Sequence, residues 1–150
     1  MAYVGERKLP QPFVLTGEAL VVAAADGSQD RVVVSSGARL GGQNYALWSP
    51  TGDRIAFAWS GYAPEPAVFA DELRIVDLAS GTVATLATNG GTDSLSLIKF
   101  SPEGDRILYS RTSSTGNVDS LWTVRTDGSD PQLLVAGTGW GDWQWQPADH

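Results

Sequence analysis

Apolar and polar residues alternate over short runs along this chain, and turn-forming residues separate the runs at regular intervals. Ile55, Phe57 and Trp59 alternate with the small Ala56 and Ala58, and Ile107 and Tyr109 repeat the pattern further on. A two-residue period belongs to a strand with two unlike faces, not to a helix. Val, Ile, Thr and aromatic residues cluster between Gly, Pro, Asp and Asn, which predicts short strands and tight turns throughout. Three stretches, Leu20 to Ser28, Leu73 to Gly81 and Leu121 to Ser129, are each followed by a short β-prone segment: Arg31 to Ser35, Thr82 to Ala87 and Gln132 to Ala136.

The pattern is a repeat. WSPTGDRIAF (Trp48 to Phe57) and FSPEGDRILY (Phe100 to Tyr109) share Ser-Pro, then Gly-Asp-Arg-Ile, with an aromatic residue at each end. A spacing of about 50 residues is read first as a propeller or a solenoid. A weaker echo stands at Trp145-Gln146-Pro147. In Ser-Pro-x-Gly, proline presets φ for the first turn position and glycine takes the conformation that other residues resist. Asp26-Gly27 and Asp127-Gly128 serve the next hairpin in the same way. Each unit then reads as four antiparallel strands: one entering the Trp48 or Phe100 position, one leaving the SPxG turn, the Leu73-type strand and the Thr82-type strand. That is a propeller blade.

These residues resemble the TolB-type members of the WD-like β-propeller repeats, whose usual turn is W-S-P-D-G followed by a strand of the I-A-F kind. Thr51 and Glu103 stand where that turn has Asp. The resemblance runs from Glu18 onward and implies the fold more than the function, since such families include binding scaffolds, translocation proteins and the noncatalytic propellers of peptidases.

The expected fold is all-β: a β-propeller of four-stranded antiparallel blades, three per chain. Two blades span residues 44–87 and 95–136. The third is residues 13–35, with Phe13 to Thr16 as the strand before Leu20, and it lacks an innermost strand. Trp143 to Trp145 supplies one at the other end of the chain. Closed propellers typically have four to eight blades, so three do not easily close alone. Two chains would: the expectation is a head-to-tail homodimer forming a six-bladed ring, with Trp143 and Trp145 in the self-assembly strand. The alternative is an excised or engineered propeller fragment without a ligand of its own.

Composition narrows the partners. With 150 residues and 42% hydrophobic content the chain has one domain's worth of core, and no apolar run reaches the length of a membrane-spanning helix. A net charge of -7 with no basic cluster argues against nucleic acid and anionic membranes. The absence of cysteine excludes disulfides, thiolate metal sites and a Cys nucleophile. The opening MAYVGERKLPQPF lacks the apolar stretch of a secretory signal, so the chain reads as cytoplasmic as it stands, or as periplasmic or extracellular if it belongs to an exported parent.

Candidate chemistry is sparse. The single histidine, His150, is the last residue and a poor base for a Ser-His-Asp site. Asp53 and Asp105 sit beside Arg54 and Arg106 at one place in successive turns, which suits bracing rather than a glycosidase pair. No EF-hand spacing occurs, and NGGTDS at Asn89 lacks the lysine of a phosphate loop, so neither metal nor cofactor is expected. The reading is a nonenzymatic scaffold for a protein or peptide ligand. A glycan- or peptide-processing propeller with a carboxylate site at its channel is the enzyme alternative. Of the six tryptophans, Trp48 and Trp145 are expected between blades and Trp140 in a loop. Propeller geometry gathers the loops of 61–71, 112–119, 37–44, 88–94 and 137–142 at one end. The expected ligand rim there is Tyr62, Glu65, Phe69, Asp93, Trp140 and Asp142.

Overall fold

The computed structural model describes residues 2–8, 16–24, 26, 31–35, 42–62, 69–89, 93–115 and 119–138. Among them the strands are β1 (Ala2–Lys8), β2 (Thr16–Val22), β3 (Arg31–Ser35), β4 (Gly42–Trp48), β5 (Arg54–Tyr62), β6 (Phe69–Asp77), β7 (Val83–Thr88), β8 (Asp93–Phe100), β9 (Arg106–Ser113), β10 (Asp119–Arg125) and β11 (Gln132–Thr138). They form three antiparallel sheets, β1-β2-β3, β4-β5-β6-β7 and β8-β9-β10-β11. All regular structure among the described residues is strand.

The SPxGDR segment folds alike in both copies, and its residue types explain why. The Ser49 N–H donates to the Arg54 carbonyl at 2.9 Å, and the Gly52 N–H to the Ser49 carbonyl at 3.0 Å. Ser101, Arg106 and Gly104 make the same two bonds at 2.9 Å. The serine hydroxyl is a second latch: it accepts from the arginine N–H (3.1 Å in one copy, 3.0 Å in the other) and donates to the aspartate carboxylate (2.9 and 2.8 Å). Both serines are buried, so their hydroxyls need these partners. The aspartate carbonyl then receives the N–H of Leu78 in one sheet and Thr126 in the other, each at 2.9 Å, which ties the second hairpin turn to the first.

A second repeat is visible only in the pairing. The outer strand bulges against Leu20/Val21, Leu73/Arg74 and Leu121/Trp122, the same step in all three sheets. This fixes β2, β6 and β10 as equivalent strands, and with them β1, β5 and β9.

Side chains alternate across the middle sheet. Ile55, Phe57, Trp59 and Val76 pack with Leu20 of the first sheet, while Ala56, Ala58, Leu73, Ile75 and Leu86 pack with Leu95, Phe100, Ile107, Tyr109 and Val124 of the third. Two cores result, one on each side of the middle sheet. Backbone comes close at the second seam: a Cβ built on Gly128 would lie 2.8 Å from the Thr85 carbonyl oxygen, and one on Gly104 3.3 Å from Pro50 Cδ. The SPxG turns of adjacent sheets therefore nest. Arg54 adds a polar tie by donating to Thr126 Oγ1 at 3.0 Å.

Two expectations need correction. The strand that pairs with β2 from the N-terminal side is Ala2–Lys8, from Ala2 opposite Val22 to Lys8 opposite Thr16, and Thr16, expected to end a preceding strand, begins β2. Gly5 and the charged Glu6, Arg7 and Lys8 hide this strand from a propensity reading, and pairing overrides propensity. Trp48 is not packed between sheets but 37% exposed, whereas Phe100, its counterpart, is 7% exposed. Alternation turns Trp48, like Ala46, toward the first sheet, which has no strand inside β1 among the described residues. Residues 13–15 and 143–145 lie outside the described set.

Candidate functional site

The two ends of the sheets differ in chemistry. At the turn end, the polar groups are engaged in holding turns. The Thr51 and Ser49 hydroxyls both donate to the Asp53 carboxylate and hold its pKa below the usual carboxylate range. Asp77 is lowered by the Ser80 N–H at 2.8 Å and the Ser80 hydroxyl at 2.9 Å, and Asp127 by the hydroxyl and N–H of Ser129 at 2.6 and 2.9 Å. Asp130 is lowered by Arg106, whose Nη1 lies 2.9 Å from Oδ2. Asp53, Asp77 and Asp127 accept hydrogen bonds within the turns of their own hairpins, whereas Asp130 ties the β10–β11 turn to the start of β9.

The loop end carries a different set. Strands β5 and β6 run long there and finish on the rungs Gly61–Ala70 and Tyr62–Phe69. Two of the expected rim residues are thereby brought opposite each other. Asp93 begins β8 at the same end, opposite Ser113. It is ion-paired with Arg111, whose Nε lies 2.6 Å from Oδ2, and its backbone carbonyl accepts from the Asn89 side chain. Asn89 is buried and donates its backbone N–H to the Asp71 carbonyl at 3.1 Å, which anchors the start of the third sheet to β6. Asp119 accepts from Thr112 Oγ1 at 2.6 Å. Glu65, Trp140, Asp142, Trp143 and Trp145 lie outside the described residues.

Sequence reading missed Arg111, Asp119 and a stacked pair. Arg74 lies 4.4 Å from the centroid of the Trp59 ring and donates to Glu72 at 2.7 Å. Trp59 is buried, and its indole N–H is the one buried side-chain polar atom without a partner among the described residues. In the third sheet Arg111 takes the place of Trp59 and Trp122 that of Arg74, so the aromatic and the cation are exchanged. Trp122 Nε1 donates to Ser120 at 3.0 Å, as Arg74 does to Glu72. Only the strand register reveals this exchange, because residue by residue the two blades look unrelated here.

No group of three or more His, Cys, Asp or Glu side chains able to hold a metal ion occurs among the described residues. The rung Tyr62–Phe69 and the Asp93–Arg111 ion pair lie at the same end of adjacent sheets.

Solved structures with the same fold are β-propellers. An oligogalacturonate lyase in complex with manganese aligns with a TM-score of 0.59 and 12% identity, over 81% of this chain and 31% of that one. A chain of a nidogen/laminin complex aligns with a TM-score of 0.55 and 12% identity, over 82% of this chain and 42% of that one. The β-propeller domain of the trilobed protease from Pyrococcus furiosus, which has an open velcro topology, aligns with a TM-score of 0.57 and 15% identity, over 90% of this chain and 38% of that one. The chain therefore has β-propeller architecture and spans between 31% and 42% of these proteins. The likeness is one of fold. No family model and no curated protein matches the sequence.

Proposed function

We propose that this chain is a noncatalytic propeller scaffold of the TolB-type, WD-like kind that binds an extended protein or peptide segment across its loop end and pairs with a second copy to form a six-bladed ring. The observation that carries the binding reading is the terminal rung Tyr62–Phe69 at the loop end, with the Asp93–Arg111 pair at that end of the adjacent sheet. Aromatic side chains supply large contact area at low entropic cost, and charged neighbours select the partner. With a net charge of -7, the favoured segment is basic. The turn end supports the noncatalytic reading, because its carboxylates and hydroxyls serve the same hairpin bonds in both complete sheets.

The test is selection from a displayed library of random linear peptides, followed by titration of the enriched peptides against the chain. Enriched sequences carrying Lys or Arg beside an aromatic or proline are expected, with affinity falling at least about tenfold in Tyr62→Ala/Phe69→Ala. Enrichment of nothing, or binding that ignores both substitutions, overturns the assignment. Turnover of a polysaccharide or peptide substrate that is lost in carboxylate-to-amide variants at the loop end would make the chain an enzyme instead. Light scattering checks the pairing: the expected mass is twice the 15.9 kDa of one chain.

A further inference from the structure

Arg111 is held along one edge of its guanidinium and open along another. Asp93 Oδ2 lies 2.6 Å from Nε, which is the nitrogen that makes this ion pair. The two terminal amino groups reach solvent, since the buried side-chain polar atom without a partner among the described residues is Trp59 Nε1. Exposure orders the pair: the Arg111 side chain is at 36% and that of Asp93 at 16%, so the carboxylate lies beneath and the guanidinium is presented above it. Neighbours fix this arrangement. Buried Asn89 donates its side-chain N–H to the Asp93 carbonyl, and Ser120 Oγ donates to the Arg111 carbonyl at 3.1 Å. Trp122 reaches toward the same rung, because its indole N–H donates to Ser120 at 3.0 Å and Ser120 lies directly across from Arg111.

Arg54 and Arg106 show how the fold uses this side chain for structure. Arg54 spends Nη1 on Thr126, and Arg106 spends Nη1 and Nη2 on Asp130 and Thr123. The repeat gives the place of Arg111 a packing role instead: its equivalent, Trp59, is 3% exposed in the core beside the first sheet. Ile107 and Tyr109 belong to the core that faces the middle sheet, and alternation carries Arg111 along that face toward the loop end. A packing position has thus been given over to a cation that stands in water. We propose that Arg111 is a carboxylate-binding fork, whose Nη1 and Nη2 take one carboxylate of the bound segment, at its chain terminus or on an Asp or Glu side chain, with Trp122 alongside. A planar guanidinium matches a carboxylate through two parallel N–H···O bonds, and engagement of Nε by Asp93 leaves the Nη1–Nη2 edge for them. Because Asp93 and its supports hold the guanidinium before a ligand arrives, little ordering is left to oppose binding. The inference rests on the loop-end binding reading above and adds to it the chemical group of the segment that enters the site. A segment that is basic as a whole suits the net charge of -7 and still brings one carboxylate to this cation.

The test titrates the full chain with acetyl-Lys-Phe bearing a free C-terminal carboxylate, with the same peptide as its amide, and with acetyl-Lys-Glu-Phe amide, whose carboxylate is on a side chain. Nitrogen-detected NMR of the arginine guanidinium groups gives the readout, the Arg111 signals being those lost in Arg111→Lys. These signals are expected to shift with a carboxylate-bearing probe, which should bind about tenfold more tightly than acetyl-Lys-Phe amide. The preference should disappear in Arg111→Lys, which keeps a cation for Asp93 but loses the fork. The shift is read on the unaltered chain, so it stands even where a variant unfolds. Tighter binding of the free terminus assigns the fork to a chain end, and tighter binding of the glutamate probe assigns it to a side chain. Equal affinity for acid and amide, or a preference that survives in both Arg111→Lys and Arg111→Gln, would overturn the fork. If Tyr62→Ala/Phe69→Ala then abolishes binding of acid and amide alike, the loop-end reading stands without it. Arg111 signals that stay put at millimolar probe would overturn the fork alone, because the peptide selection decides the loop-end reading separately.

Discussion

Gly128→Ala reports on the seam between the middle and third sheets. At Gly128 φ is +81°, and an added Cβ would lie 2.8 Å from the Thr85 carbonyl oxygen and 3.8 Å from its carbon. Left-handed backbone costs an L residue about 1–2 kcal/mol. The contact adds a second term, because backbone on the facing strand cannot rotate away, and forced overpacking costs about 1–3 kcal/mol. Gly52 separates the two contributions: its φ is +73°, but nothing lies within 4 Å of the same added atom. Gly52→Ala should therefore cost about 1–2 kcal/mol and Gly128→Ala about 2–5 kcal/mol. For a domain of this size these losses correspond to falls in Tm of about 5 and 10 °C. Equilibrium urea denaturation of both variants and of their combination measures the difference, with the two effects adding because the sites share no partner. Losses equal to within about 0.5 kcal/mol would refute the close approach of Thr85 to this turn, and with it the seam as described.

Ser101→Ala removes both the acceptor for the Arg106 N–H and the donor to Asp105, and should cost about 1–3 kcal/mol in urea melts, with Ser49→Ala similar. A loss under about 0.5 kcal/mol would mean that the backbone bonds hold the turn unaided. The pKa values of Asp53, Asp77, Asp127 and Asp130 are all lowered in the folded chain. The stability these groups contribute is therefore present above the unfolded aspartate value of about 3.9 and is lost as pH falls through the lower folded values. Tm should stay level from about pH 7 to 5 and drop below about pH 4, less steeply in Asp77→Asn; a rise on acidification would show that the turns do not favour the carboxylates.

How much of this was legible in the sequence depended on where each residue's environment was decided. The SPxGDR turn was readable because its own six residues make its bonds, so proline, glycine, serine and aspartate announce a geometry that needs no neighbour. Strand β1 was not, because Gly5, Glu6, Arg7 and Lys8 adopt extended structure only through pairing with β2. At the loop end Tyr62, Phe69 and Asp93 were nameable one at a time, but their grouping follows from strand register. Arg111 was passed over because its partner is 18 residues away along the chain, across a β-hairpin. The exchange of Trp59 and Arg74 for Arg111 and Trp122 was likewise invisible, since it conserves a neighbourhood rather than any single residue.

Departures between equivalent residues therefore carry information that the repeat itself does not. Arg54 and Arg106 leave identical turns, yet Arg54 donates across the seam to Thr126 at 3.0 Å. Arg106 instead turns back within its own sheet, to Thr123 at 3.2 Å and to Asp130 at 2.9 Å. The turns are alike but the partners on offer differ: Thr123, which accepts from Arg106, stands where the middle sheet has Ile75, and a further sheet lies beyond Arg54 while none lies beyond Arg106 among the described residues. Trp48 and Phe100 differ for a matching reason on the other side. The middle sheet is flanked on both faces and sends side chains into a core on each side, and Trp48, on its inner strand, is the repeat position left half-covered where the first sheet has no strand inside β1 among the described residues. In a repeat architecture stability is shared between each unit and its interfaces, so the middle sheet, with a core on each side, draws on more interface than either outer sheet does among the described residues.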